Sequence, residues 1–171
     1  MIDTELYEAK TLYPFQKNSV DQILKELSEN GNDFNLLFQL PTGGGKTVIF
    51  SEIAKKYIAD TSKKVLILTH RIELSVQTSK QLSAIGVSNK VINSEVKEIN
   101  KPDEFHCFIA MVETLNNRLN DDANFIADVG LVIVDEAHYN SFRKIFQFYG
   151  NANILGVTAT PLSSNKALPL N

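Results

Sequence analysis

Residues 41–47 read Pro-Thr-Gly-Gly-Gly-Lys-Thr, a pattern suited to holding a chain of phosphates. Such a ligand needs several backbone N–H groups converging on it. Consecutive glycines let a turn take positive φ and approach closely without Cβ clashes. A helix that starts at Lys46 adds its unpaired N-terminal amides and the positive end of its dipole. Thr42, Gly43, Gly44 and Gly45 then form the cradle, Lys46 reaches the β and γ phosphates, and the Thr47 hydroxyl binds Mg2+. The general form of this turn has Gly where this chain has Leu40. Asp135 and Glu136 lie 89 and 90 residues after Lys46 and close the apolar run 131–134. Two carboxylates ending a buried strand sit at the carboxyl edge of a parallel sheet, where ligands of such sheets bind. Asp135 is expected to hold the Mg2+ shell, and Glu136 to orient and deprotonate an attacking water.

These groups need a scaffold of short strands and helices in alternation, and the chain has that pattern. After Pro14, the residues Val20, Ile23, Leu24 and Leu27 fall at helical spacing, so 15–27 is predicted as a helix. Strand 35–40 then leads through the glycine turn into a helix over 46–58. A strand at 64–69 is followed by a helix over 72–85 that Gly86 ends. A minor strand at 91–92, a strand at 106–111 and a short helix over 112–119 come next. Strands at 131–134 and 154–158 complete the set. Phe142 and Phe146 share a helix face and read as core packing rather than base stacking. The expected architecture is α/β, a mostly parallel sheet with helices on both faces.

At 171 residues, with 43% hydrophobic and 22% charged residues, the chain can bury a core as one domain, and disorder or a fibre is excluded. Its net charge of -3 removes general basicity as a basis for nucleic-acid binding. The charge is uneven: residues 46–80 carry seven Lys or Arg against three acids, and residues 95–136 carry ten acids against three bases. One region could therefore face phosphates while another repels them. The single Cys107 reads as a buried small residue, and His70, His106 and His138 lie too far apart for metal-ligand spacing. The N-terminal residues are acidic without an apolar stretch, and the longest apolar runs are strand-sized, so neither export nor membrane spanning is expected. A reducing, cytoplasmic setting fits.

Taken together, 41–47, the Asp-Glu-Ala-His run 135–138 and Thr158-Ala159-Thr160 resemble motifs I, II and III of superfamily 2 helicases and translocases. Residues 68–74 (Leu-Thr-His-Arg-Ile-Glu-Leu) resemble motif Ia, and 111–115 (Met-Val-Glu-Thr-Leu) a later backbone-contacting segment. Upstream, Leu12-Tyr13-Pro14-Phe15-Gln16 is similar to the element whose glutamine reads adenine. The resemblance runs from about residue 12 to 161 and is nearest to RadD-like repair helicases and restriction-enzyme translocase subunits. Two positions depart from the pattern. Tyr13 stands where Arg is usual, and Glu113 replaces a Gln, putting a carboxylate where phosphate would be met.

The resemblance implies a RecA-like P-loop domain that binds ATP and Mg2+, with Lys46, Asp135, Glu136 and His138 in the catalytic set. It implies adenine recognition by Gln16, backbone contacts to nucleic acid, DNA favoured, from His70, Arg71 and Thr114, and coupling of nucleotide state through Thr158 and Thr160. Read from the residues alone, Gln16 could also be a polar first-turn residue, although its Leu-Tyr-Pro-Phe context favours the adenine role, and His70 and Arg71 could be a cap. The organisation expected is a lead-in helix within 1–33, the P-loop core at 34–161 and an exit tail at 162–171. The second RecA-like lobe of such a motor is absent from this span. That lobe supplies an arginine finger worth roughly 10³ to 10⁵ in related phosphoryl transfers, so this lobe alone is expected to hydrolyse ATP feebly. Two other classes remain: a nucleotide-gated binding module that never translocates, and a small P-loop kinase, which would want more arginines over the phosphates than Arg71, Arg118 and Arg143.

Overall fold

The computed structural model describes residues 10–31, 34–39, 45–135, 143–158 and 167–169. Helix α1 (Pro14–Glu29) starts with Pro at its first position, where a missing N–H costs nothing, and buries Val20, Ile23 and Leu27 on one stripe. Strand β1 (Asn35–Gln39) precedes α2 (Lys46–Thr61), whose N-cap Gly45 has φ 75°. Strand β2 (Lys64–Thr69) feeds α3 (Ile72–Ala84). Gly86, at φ 86°, then turns the chain into β3 (Asn89–Ile92), as expected of a glycine at a helix end. Strand β4 (Cys107–Met111) runs without a loop into α4 (Val112–Asp121), and β5 (Val129–Asp135) carries the acidic end. The one-turn α5 (Arg143–Phe146) precedes β6 (Asn153–Thr158). Phe146 packs against the core, and Phe142 lies outside the described residues.

Six strands are parallel, and the sheet order is β3-β4-β2-β5-β6-β1, continued at one edge by β7 (Ala167–Pro169). Strand β7 lies in the segment expected as an exit tail and pairs antiparallel with β1, Leu36 opposite Pro169. A short strand with proline in it suits an edge, where fewer ladder bonds are needed.

Alternation along the strands splits the core in two. Val65 and Ile67 face α1, α2 and α3, together with Ile109, Ile133, Leu155, Phe50 and Leu82. Leu66 and Leu68 face the other side, with Phe108, Val132, Leu115 and Ile145. Both faces are thus covered, which is why these strands read as nearly continuous apolar runs rather than as alternating ones. Among the described residues no helix is long and apolar enough to cross a membrane.

Cys107, at the start of β4, is fully buried, and desolvation pushes its thiol pKa up from the ordinary value. Because the thiolate is the reactive form, Cys107 is expected to resist a thiol reagent in the folded chain and to react fully once denaturant is added. Rapid stoichiometric labelling under native conditions would contradict this packing.

Candidate functional site

The glycine turn enters α2 through Gly45, whose positive φ belongs to the left-handed region that glycine takes without strain. Its carbonyl already accepts the N–H of Ile49 at 3.1 Å, so the helix is regular from its first turn. Lys46 and Thr47, the first two helical residues, therefore project from an N-terminus, where unpaired amides and the dipole favour anions. Across the sheet, β5 ends at Asp135, which is buried at 4% exposure. The Lys46 Nζ donates to Asp135 Oδ1 at 3.0 Å. The sheet order sets up this pair. Strand β6 lies between β1, which precedes α2 in the chain, and β5, so only one strand separates them.

Thr158 ends β6 and is buried at 3% exposure. Its neighbour Val157 is the register partner of Asp135, so Thr158 stands at the same sheet edge. Thr42, Gly43, Gly44, Glu136, His138 and Thr160 lie outside the described residues.

Gln16 is the third residue of α1 and is buried at 4% exposure. Its Oε1 accepts the N–H of Tyr13, the N-cap residue, at 2.8 Å, which is half of a capping box. Its Nε2 lies directly against Gly45, where a Cβ would collide with it. Gln16 is therefore both a helix cap and the side chain packed against Gly45 at the start of α2. A cleft of about 1110 Å³ opens here, bounded by Gln16, Gly45, Lys46 and Thr47 on one side and by Leu74, Gln77 and Lys80 of α3 on the other. At its mouth the rings of Tyr13 and Phe15 stack, 6.3 Å apart and 8° from parallel, with 66% and 49% exposure.

Arg71, the N-cap of α3, is exposed, and its backbone N–H donates to Thr69 Oγ1 at 3.1 Å. A smaller cleft of about 310 Å³ joins Arg71 to Lys46 and Asp135. His70 is half-buried in the junction before it. Thr114 stands in the first turn of α4, half-buried, beside the exposed Glu113. Because Thr69 and Met111 are register partners, the N-termini of α3 and α4 leave the same edge side by side. His70, Arg71 and Thr114 are thus brought to one end of the sheet, and Arg71 also reaches the Lys46 side of it. Sequence reasoning placed Leu74 only at the end of the motif Ia resemblance and did not single out Gln77 and Lys80. Their spacing is that of any solvent-facing helix stripe, and only the packing of α3 on α2 turns it toward the cleft.

Oxygen donors such as the Thr47 hydroxyl and the Asp135 carboxylate fit a small hard cation, and Gly45, Lys46 and Thr47 line the larger cleft. Among the described residues no group of three His, Cys, Asp or Glu could hold a metal by itself.

Residues 9–163 match the family model described as type III restriction enzyme, res subunit. The chain is 33% identical over 153 residues to IRC3 of Saccharomyces cerevisiae, covering 84% of this chain and 22% of that protein. It is 28% identical over 179 residues to the ATP-dependent DNA helicase mph1 of Neurospora crassa, covering 95% of this chain and 15% of the other. The chain therefore spans less than a quarter of the length of either relative. Among solved structures, the UvsW helicase of bacteriophage T4 superposes with a TM-score of 0.67 at 19% identity, over 91% of this chain and 56% of that one. The Hef helicase domain of Pyrococcus furiosus superposes with a TM-score of 0.66 at 25% identity, over 88% and 33%. The RecA-like α/β fold expected from the motifs is the fold observed.

Proposed function

The chain belongs to the family of type III restriction enzyme res subunits, within the superfamily 2 helicases, and from that premise we propose that it is the ATP-binding motor lobe of a nucleic-acid helicase or translocase. The observation that carries the reading is the 3.0 Å pair between Lys46 and Asp135, which joins the phosphate-binding helix to the acidic strand end. In this reading Gly45 and the preceding glycines turn backbone N–H groups toward the phosphates. Lys46 places its ammonium on the β and γ oxygens. Thr47 and Asp135 would hold Mg2+, which would supply charge neutralisation to the phosphates. Glu136, the residue after Asp135, takes the proton of the attacking water. Thr158, beside Asp135 at the sheet edge, and Thr160 pass the state of the site onward, with His138 linking the motifs.

Gln16 reads adenine. A carboxamide oxygen has two lone pairs, so capping Tyr13 leaves it able to accept from the base amino group, while Nε2 donates to a ring nitrogen. Tyr13 and Phe15 supply flat apolar surface at the mouth of the same cleft. Nucleic acid, with DNA favoured by the relatives' names, is met by His70, Arg71 and Thr114 at the paired N-termini of α3 and α4. A second RecA-like lobe of the same polypeptide closes over the cleft.

The kinase reading is weakened by Arg118, which donates from Nε to the Val96 carbonyl at 2.9 Å and from Nη2 to the Ser94 carbonyl at 2.8 Å. One of three arginines is thereby committed to holding a loop. ATP hydrolysis by the intact protein, with and without DNA and with and without Mg2+, tests the proposal. Stimulated turnover is expected with both present. Binding to DNA that ATP alters, without movement along it, would favour the gated module instead.

Gly45→Ala should raise the KM for ATP by about tenfold with a smaller change in kcat. The added Cβ must displace the Gln16 carboxamide, and a non-glycine at φ 75° costs about 1–2 kcal/mol. Steady-state kinetics paired with thermal unfolding check it, and an unchanged KM would contradict it.

A further inference from the structure

Gln81 lies on α3, away from the cleft lining, and is buried at 2% exposure. Its side chain makes a paired contact with Lys10, 71 positions upstream. Lys10 N–H donates to Gln81 Oε1 at 3.1 Å, and Gln81 Nε2 donates to the Lys10 carbonyl at 3.2 Å. One carboxamide thus takes both polar groups of a backbone unit, as a neighbouring strand would. A buried carboxamide is tolerated only when its donor and acceptor are met, and Lys10 meets both for Gln81.

Residues 10–13 lie in neither helix nor strand, yet they lead directly to Gln16. Clamping Lys10 fixes the peptide planes on both sides of its Cα. Leu12 then packs on the core, and Tyr13 N–H goes to Gln16 Oε1. The path from residue 10 to residue 16 is held at three successive points, and its end is the Nε2 that touches Gly45. We propose that Gln81 is a positioning residue for nucleobase discrimination, clamping Lys10 so that the Gln16 carboxamide keeps its place against the phosphate-binding turn. The proposal rests on the reading of Gln16 as the adenine-recognising group. It makes α3, which carries Arg71 at its start, the element that also sets the base pocket.

The test is equilibrium binding of ATP and of GTP to the intact protein and its variants. Gln81→Leu fills the space and removes both bonds. It should weaken ATP binding by about tenfold, leave GTP binding unchanged, and so close the preference between them. Gln81→Glu keeps the acceptor for Lys10 N–H and should restore part of that preference. Lys10→Pro removes the N–H from the exposed partner without touching the core, and should lower the preference in the same direction even where Gln81→Leu does not fold. Equal weakening of both nucleotides in folded variants, or an undiminished preference, overturns the clamp as a determinant of base choice. A wild-type protein that binds ATP and GTP equally overturns the adenine role of Gln16 itself.

Discussion

Lys46→Ala is expected to lower ATP hydrolysis by the intact protein by about 10² to 10³-fold and to weaken ATP binding, because it removes a preorganised cation aimed at the transferring phosphoryl group. The structure sharpens the expectation. Lys46 is the first residue of α2, and its ammonium is 3.0 Å from Asp135 Oδ1, whose side chain is only 5% exposed. The substitution therefore also takes a cation away from a buried carboxylate, which costs stability as well as function. Thermal unfolding measured alongside kinetics separates the two losses. A folded Lys46→Ala protein that still turns over ATP at the wild-type rate would remove the phosphate-binding assignment of the whole turn.

Glu136→Gln is the second large effect. It keeps the size and hydrogen-bonding reach of the side chain but cannot accept the proton of water, so hydrolysis is expected to fall by about 10² to 10⁴-fold while ATP binding stays close to wild type. Glu136 itself lies outside the described residues, but it follows Asp135, the last residue of β5. Asp135 itself meets Lys46, the first residue of α2. Single-turnover hydrolysis and equilibrium binding on the same preparation distinguish a lost base from a lost site. Full hydrolysis in this variant would assign the base elsewhere. A parallel fall in binding would make Glu136 a ligand of the nucleotide rather than the group that activates water.

The contrast between these two sites and the Gln81 clamp shows how legibility depends on distance along the chain. The glycine turn could be read because its chemistry is local: three glycines, a lysine and a helix start occupy one short stretch, and positive φ at Gly45 is the reason a glycine is there. The strand ending in Asp135 was readable only together with that turn, since two acids closing an apolar run are by themselves a common surface turn. The helix ended by Gly86 and the strands around 66, 109 and 133 followed from the same kind of short-range pattern. Gln16 was readable only in part. Its neighbours suggested adenine recognition, but its role as the cap of α1 depends on the bond to Tyr13 N–H, and its contact with Gly45 depends on how α1 packs on α2.

By itself, then, the order of residues determined the kinds of element and the chemistry carried at each turn, because backbone conformation and helix or strand period are decided within a few residues. Tertiary structure decided which ends meet. It put β5 beside β6 and one strand away from β1, so that Lys46 reaches a carboxylate 89 residues on. It turned an ordinary-looking stripe of α3 toward the cleft, set Gln81 against a backbone unit 71 residues away, and added β7 antiparallel at the edge. Those outcomes follow from burying both faces of one sheet at once. That requirement makes each strand apolar throughout, but which segments lie side by side is settled between stretches far apart in the chain.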